Sequence, residues 1–353
     1  MRRISLVKVA PLSRFFLYIL RAVVVFLVST YLLAMLIGIS LMLLTPEGVE
    51  FSRRPVENLP LGLLAFIVIR VPVTASFGTV FILTWAFYVI CFSLAWRANG
   101  GFRKAMRGGV SQQRISASSN LLYIFPAISS ALLVLVLVTQ GLQEAVGVPT
   151  GTIEFEDTYS ELFELSYSPI FEEVMFRISP YMLYSALITI RNLPEGRGLR
   201  ASATLKQLIS SVASPDRGKE ALRPSIGRDG FRRGISTPEW ALAILTSVIF
   251  GLAHYLSGSG WDIGKVTSSS IAGLAFFLSY LVYGFYAPIL LHWFFNYYFY
   301  VYEFASKTYC GVFEVLENAV NLSVQASGVS VLLAVSTYLL WVIIRSKSGA
   351  PEA

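Results

Sequence analysis

Long apolar runs separated by short polar stretches dominate this chain. The first, residues 15–44, carries one charge, Arg21, near its start. Further runs cover about 78–96, 121–140, 162–190, 238–257, 266–283, 286–304 and 328–345. Each approaches or exceeds the ~20 residues that cross a bilayer as a helix. The pattern predicts an all-α, polytopic integral membrane helix bundle of about eight transmembrane helices. Residues 61–72 are apolar too, but the run is short and interrupted by Arg70 and Pro72. It predicts an interfacial or re-entrant piece. Met1, Arg2 and Arg3 resemble the start of a signal peptide, but the run that follows is too long for a cleaved one. It is therefore expected to be the first span. Thr237, Pro238 and Glu239 mark the start of the fifth span as N-cap, first helical residue and first-turn acid.

Charge adds an orientation. The loop after the second span holds Arg97, Arg103, Lys104, Arg107 and Arg114 without an acid. The loop after the third holds Glu144, Glu154, Glu156, Asp157 and Glu161 without a base. The long loop 191–237 is again basic, from Arg191, Arg197, Arg200 and Lys206 through Lys219 to Arg233. With both termini on the cytoplasmic side of a cell membrane, every basic loop falls inside and the acidic one outside. The net charge of +7 thus follows loops and does not form one nucleic-acid-binding face. Composition agrees: the chain of 353 residues is 55% hydrophobic and 14% charged, where soluble domains carry about 25% charged residues. Its mean hydropathy is +0.64. Two cysteines give no disulfide framework, and no metal-type Cys/His spacing occurs. The expected organisation is 1–160 as N-terminal spans and loops, 161–305 as the core with the loop 191–237, and 306–353 as the last span and tail.

Candidate chemistry breaks the apolar pattern in three places. Phe171-Glu172-Glu173-Val174-Met175-Phe176-Arg177 puts two carboxylates and a guanidinium into the fourth span. Each charge at bilayer depth costs at least ~2.5–3.5 kcal/mol, so it persists where function or pairing holds it. The only two histidines, His254 and His292, also lie in apolar spans. Glu173 and Arg177 are spaced i,i+4 and can pair on one helix face. Glu172 projects about 100° away and stays available as a general base. Ser168-Pro169 is expected to end one helical piece and begin another, letting water reach Glu172. His292 and Asn296, also i,i+4, can aim two N–H donors at one point, as an oxyanion hole requires. Phe250 and His254 share a face, so the ring walls the site beside the imidazole. The chemistry these residues offer is attack of a Glu172/His254-polarised water on a peptide carbonyl, with no metal and no cofactor. The Glu173–Arg177 pair read alone is also what a structural buried ion pair looks like.

Glu-Glu-x-x-x-Arg, Phe-x-x-x-His and His-x-x-x-Asn in this order on successive spans resemble the CPBP family of intramembrane proteases. These include the type II CAAX prenyl endopeptidases and bacteriocin-processing relatives. The resemblance covers about 165–300 and implies a glutamic endopeptidase acting on a membrane-associated or prenylated peptide or protein. It implies that Glu172 is the catalytic glutamate, His254 its partner, His292 and Asn296 the oxyanion pair, and Glu173 and Arg177 supports of the site's geometry. Ile178 stands where family members often have Gly. A catalytically silent relative acting as a membrane scaffold would carry the same fold. A proton-coupled transporter would use intramembrane Glu and His as a relay, but no internal repeat of the kind transporters show is present.

Depth constrains the arrangement. If the seventh span began at the membrane surface, His292 would lie only ~6–9 Å in and could not meet Glu172. No charged residue occurs between Lys265 and Glu303. A short sixth span and an embedded turn at 284–288 are therefore expected, with a cavity among spans four to seven.

Overall fold

The computed structural model describes residues 11–107, 119–153, 155, 157–191, 209–219 and 224–347. Arg2, Arg3, Arg114, Glu154, Glu156, Arg197, Arg200 and Lys206, on which the orientation partly rests, lie outside these residues. Helix α1 spans Pro11–Leu44. The short helix Pro46–Arg53 follows, capped by Thr45, whose hydroxyl accepts from Gly48 N. Strands β1 (Pro55–Leu63) and β2 (Ile67–Ser76) then pair antiparallel. The expected re-entrant piece is thus a β-hairpin. Ile67, Val68, Ile69, Val71 and Val73 favour strand, while Pro60 and Pro72 oppose a helix interior.

Helices α2 (Phe77–Arg97) and α3 (Leu121–Ala145) come next. Helix α4 (Thr158–Glu173) is capped by Asp157, which accepts from Tyr159 N and Ser160 N. A π turn, Val174–Ile178, links it to α5 (Ser179–Arg191). Helices α6 (Thr237–Leu256), α7 (Gly264–Tyr283) and α8 (Tyr286–Trp293) follow. A second π turn, Phe294–Tyr298, leads into α9 (Phe299–Tyr309), and α10 runs Val312–Lys347.

The molecule is a helical membrane bundle. Among the described residues six helices are long and apolar enough to cross a bilayer: α1, α2, α3, α6, α7 and α10. The other two expected spans, 162–190 and 286–304, are each a pair of helices joined through a π turn. The break expected at Ser168-Pro169 does not occur. Helix α4 runs through Pro169, which removes only one intrahelical donor. The irregularity falls at 174–178 instead. The start of α6 also differs from expectation. Ser236, not Thr237, is the N-cap, because Glu239 then occupies the position of a capping box. Glu239 Oε2 accepts from Ser236 N at 2.8 Å.

The bundle centre is the α8–α9 segment. Trp293, Tyr297 and Tyr298 are fully buried there against Tyr31 of α1 and Tyr88 of α2. Tyr298 shares a hydrogen bond with Thr30 Oγ1 at 2.6 Å, and Tyr302 donates to Thr30 O at 2.6 Å. Close approach needs Gly38, where a Cβ would lie 1.6 Å from the Tyr297 hydroxyl. The turn from α7 to α8 is covered by part of the basic loop. Phe285 N donates to Ala213 O at 3.3 Å and Tyr280 to Val212 O at 2.7 Å. Gly284 adopts φ +94°, and a Cβ there would meet Ala213 O at 2.3 Å. This loop segment is pinned by Lys219, whose buried ammonium donates to both oxygens of Glu239 at 3.0 Å. That pairing satisfies two charges that would each be costly alone.

Candidate active site

The first π turn brings the acid cluster to the bundle interior. Glu173 and Arg177 are completely buried, and Arg177 Nη1 donates to Glu173 Oε1 at 3.0 Å. Sequence spacing anticipates this pair. It does not anticipate the third member: His292 Nδ1 lies 2.8 Å from the same Glu173 oxygen. One carboxylate thus orients both the guanidinium and an imidazole. The guanidinium also lies over Phe250, its Cζ 4.1 Å from the ring centroid, with Phe276 at 5.4 Å. Cation–π attraction of this kind is strongest when desolvated, about 2 kcal/mol or more. Gly273 makes room for it, since a Cβ there would lie 2.7 Å from Arg177 Nη2.

The hairpin tip packs on this turn from the other side. Ala65 N donates to Met175 O at 2.8 Å and Leu64 N to Ser179 Oγ at 2.9 Å. Ala65 shares an apolar cluster with Met175, Phe176 and Phe250. Met175 O, with Pro180 and no N–H five residues on, thereby finds a donor in a second element.

Glu172 turns away from Arg177, as its position one residue before Glu173 requires. Its side chain is 20% exposed, and Oε2 stands 3.6 Å from His292 Nε2. That separation exceeds hydrogen-bond length, and among the described residues this oxygen has no hydrogen-bond partner. His254 holds its ring differently. Nδ1 lies 2.8 Å from Phe250 O. A carbonyl only accepts, so Nδ1 carries the proton and the neutral ring keeps its lone pair on Nε2. Phe250 lies between the two histidines, 4.6 Å from the His254 ring and 5.6 Å from that of His292. Phe276 stacks on His292 at 5.1 Å.

Asn296 falls inside the second π turn, so the simple i,i+4 relation to His292 is altered. Its Nδ2 donates to Ser168 Oγ at 3.0 Å. The sequence marks Ser168 as part of a helix break and not as a partner of Asn296. The available signal was its position four residues before Glu172, on the same helix face. A small cleft borders several of these groups, but no residue of α4, Glu172 included, lines it. Its lining includes His254, Lys265, Ser269, His292 and Asn296, with Phe276 below, and Val136 of α3 contributes as well. The expected site residues therefore meet in one neighbourhood, with Glu172 beside His292, Phe250 between the two histidines, and Glu173 and Arg177 fully buried beside them. Among the described residues no set of three His, Cys, Asp or Glu side chains is arranged to hold a metal ion.

The segment that carries all of these groups is the one that matches a known family. Residues 162–298 match the model of the Rce1-like type II CAAX prenyl endopeptidases. Glu172, His254, His292 and Asn296 lie inside this Rce1-like segment, and the match ends at the last residue of the second π turn. The hairpin that packs on the first π turn, and helices α1–α3, lie outside it. No curated protein and no solved structure matches the chain.

Proposed function

We propose that the chain is a membrane-embedded glutamic endopeptidase that hydrolyses a peptide bond of a membrane-associated or prenylated peptide or protein. The Rce1-like match supports a membrane endopeptidase of the CAAX type in general. The observation that carries the finer reading is Glu172 Oε2, without a hydrogen-bond partner and 3.6 Å from His292 Nε2. Glu172 Oε2 is thereby a base not tied up in a hydrogen bond.

In this reading Glu172 and His254 Nε2 flank a water. Glu172 takes one of its protons as the oxygen attacks the scissile carbonyl. His292 and Asn296 donate N–H groups to the oxyanion that forms. The C–N bond then breaks, and the proton held by Glu172 passes to the leaving amine. No covalent enzyme intermediate is needed. The site lies in a cell membrane with both termini cytoplasmic, by the charge pattern of the loops. The experiment is cleavage of a panel of prenylated and unprenylated peptides by purified protein in bilayers, read by mass spectrometry. Internal cleavage that persists with a chelator present is expected. Failure to cut any peptide, or loss of cutting on chelation, contradicts the proposal.

A further inference from the structure

The cleft is lined along one side by a single face of α7. Lys265, Ser269, Ala272 and Phe276 follow at helical spacing and all border it. Polarity falls steadily along this face. Phe276 stacks on His292, at the chemistry. Lys265 stands in the first turn of α7, on the His254 side of the cleft.

Lys265 is held in place without being neutralised. Its ammonium lies over Trp261, 3.6 Å from the ring centroid. Trp261 is fixed in turn by pairing of two loops. It bridges Gly151, Asp262 N donates to Thr150 O at 2.9 Å, and Gly264 N donates to Pro149 O at 2.9 Å. The same indole is 6.5 Å from the His254 ring, so the ammonium and the imidazole flank one side chain. Among the described residues Lys265 has no ion pair within 4.0 Å, although Glu172 is near enough to interact with its charge. Lys219, by contrast, is fully paired with Glu239. Ser269, one turn further along and buried, makes no hydrogen bond among the described residues, although it borders the same cleft. A lysine and a serine on one face, bordering a cleft whose other end holds Phe276, suit a carboxylate at the near end of a bound apolar peptide.

We infer that Lys265, with Ser269 beside it, is a carboxylate-binding subsite that sets which peptides the cleft accepts and in which direction they lie. This rests on the endopeptidase reading for its substrate class. The carboxylate is either the free C-terminus of the peptide or an acidic side chain near the scissile bond. The anionic end sits at Lys265, and the apolar residues run toward Phe276 and His292. Lys265 acts by positioning and takes no part in bond making or breaking.

The test uses the full chain in phosphatidylcholine nanodiscs. Three labelled peptides share one apolar sequence: a free acid, its C-terminal amide, and the amide with one internal Asp. Binding is measured by fluorescence anisotropy in the Glu172→Gln background, where cutting does not interfere. The free acid or the Asp-containing amide is expected to bind at least about tenfold more tightly than the plain amide, as for a charge-assisted hydrogen bond. Which of the two does so identifies the source of the carboxylate. Lys265→Met should erase the preference and Lys265→Arg should retain it. Equal affinity for all three peptides overturns the inference without needing any Lys265 variant. A preference that survives Lys265→Met also overturns it. Turnover of the same peptides by the unmutated protein separates the two readings. Carboxylate-selective binding without cleavage ends the endopeptidase reading alone, and cleavage without selectivity ends the subsite alone.

Discussion

Glu172→Gln lowers peptide cleavage by about 10²–10⁴-fold, the range a positioned general base contributes, and leaves the folded protein intact. The two halves of this result have separate physical causes. Gln matches the shape of Glu but cannot accept a proton from water at any useful rate. Glu172 contributes little to the fold, because its Oε2 has no hydrogen-bond partner and stands 3.6 Å from His292. Its side chain is also 20% exposed. The thermal midpoint in detergent should therefore stay close to that of the unmutated protein while kcat collapses. Retention of more than about a tenth of the activity would remove Glu172 from the role of base.

Arg177→Met has the opposite profile, with a large loss of stability that takes activity with it. Arg177 is fully buried and its charge is shared between Glu173 and the faces of Phe250 and Phe276. Removing it leaves the Glu173 carboxylate buried with only His292 beside it, a change of the kind that costs about 3–5 kcal/mol. Met fills much of the volume, so the effect is electrostatic more than steric. The lost pairing also removes one of the two contacts that fix the Glu173 oxygen against which His292 is held. Thermal unfolding checks the stability loss. Arg177→Lys should recover only part of it, since an ammonium cannot reproduce the planar guanidinium over Phe250. An unchanged midpoint in Arg177→Met would show that the pair contributes little to the fold.

Much of this arrangement was legible from residue types. The apolar runs located the six long helices, and the 284–288 stretch marked the turn between α7 and α8, although the helix before it, expected to be short, has 20 residues. That turn is at Gly284, covered by Ala213. The Glu173–Arg177 pair followed from i,i+4 spacing. The π turns did not follow from anything in the pattern. One extra residue per turn leaves the apolar periodicity of a short segment nearly unchanged, so Val174–Ile178 and Phe294–Tyr298 read as ordinary helix. For the same reason the irregularity was expected at Ser168-Pro169, where proline advertises a break that α4 absorbs. Contacts distant in sequence were invisible too. The Glu173–His292 bond and the Asn296–Ser168 bond each link α4 to the α8–α9 segment, and no local pattern reports such pairs. Lys219 and Glu239 are a similar case: a lysine in a basic loop looks solvated, yet it is buried on the capping acid of α6.

The most direct test of the proposed chemistry is single-turnover cleavage in ¹⁸O-labelled water with hydroxylamine present, followed by mass spectrometry of the new C-terminus. Direct attack by water held between Glu172 and His254 predicts one ¹⁸O in the product carboxylate and no hydroxamate. A hydroxamate product would mean that an acyl-enzyme had formed, and would contradict the account.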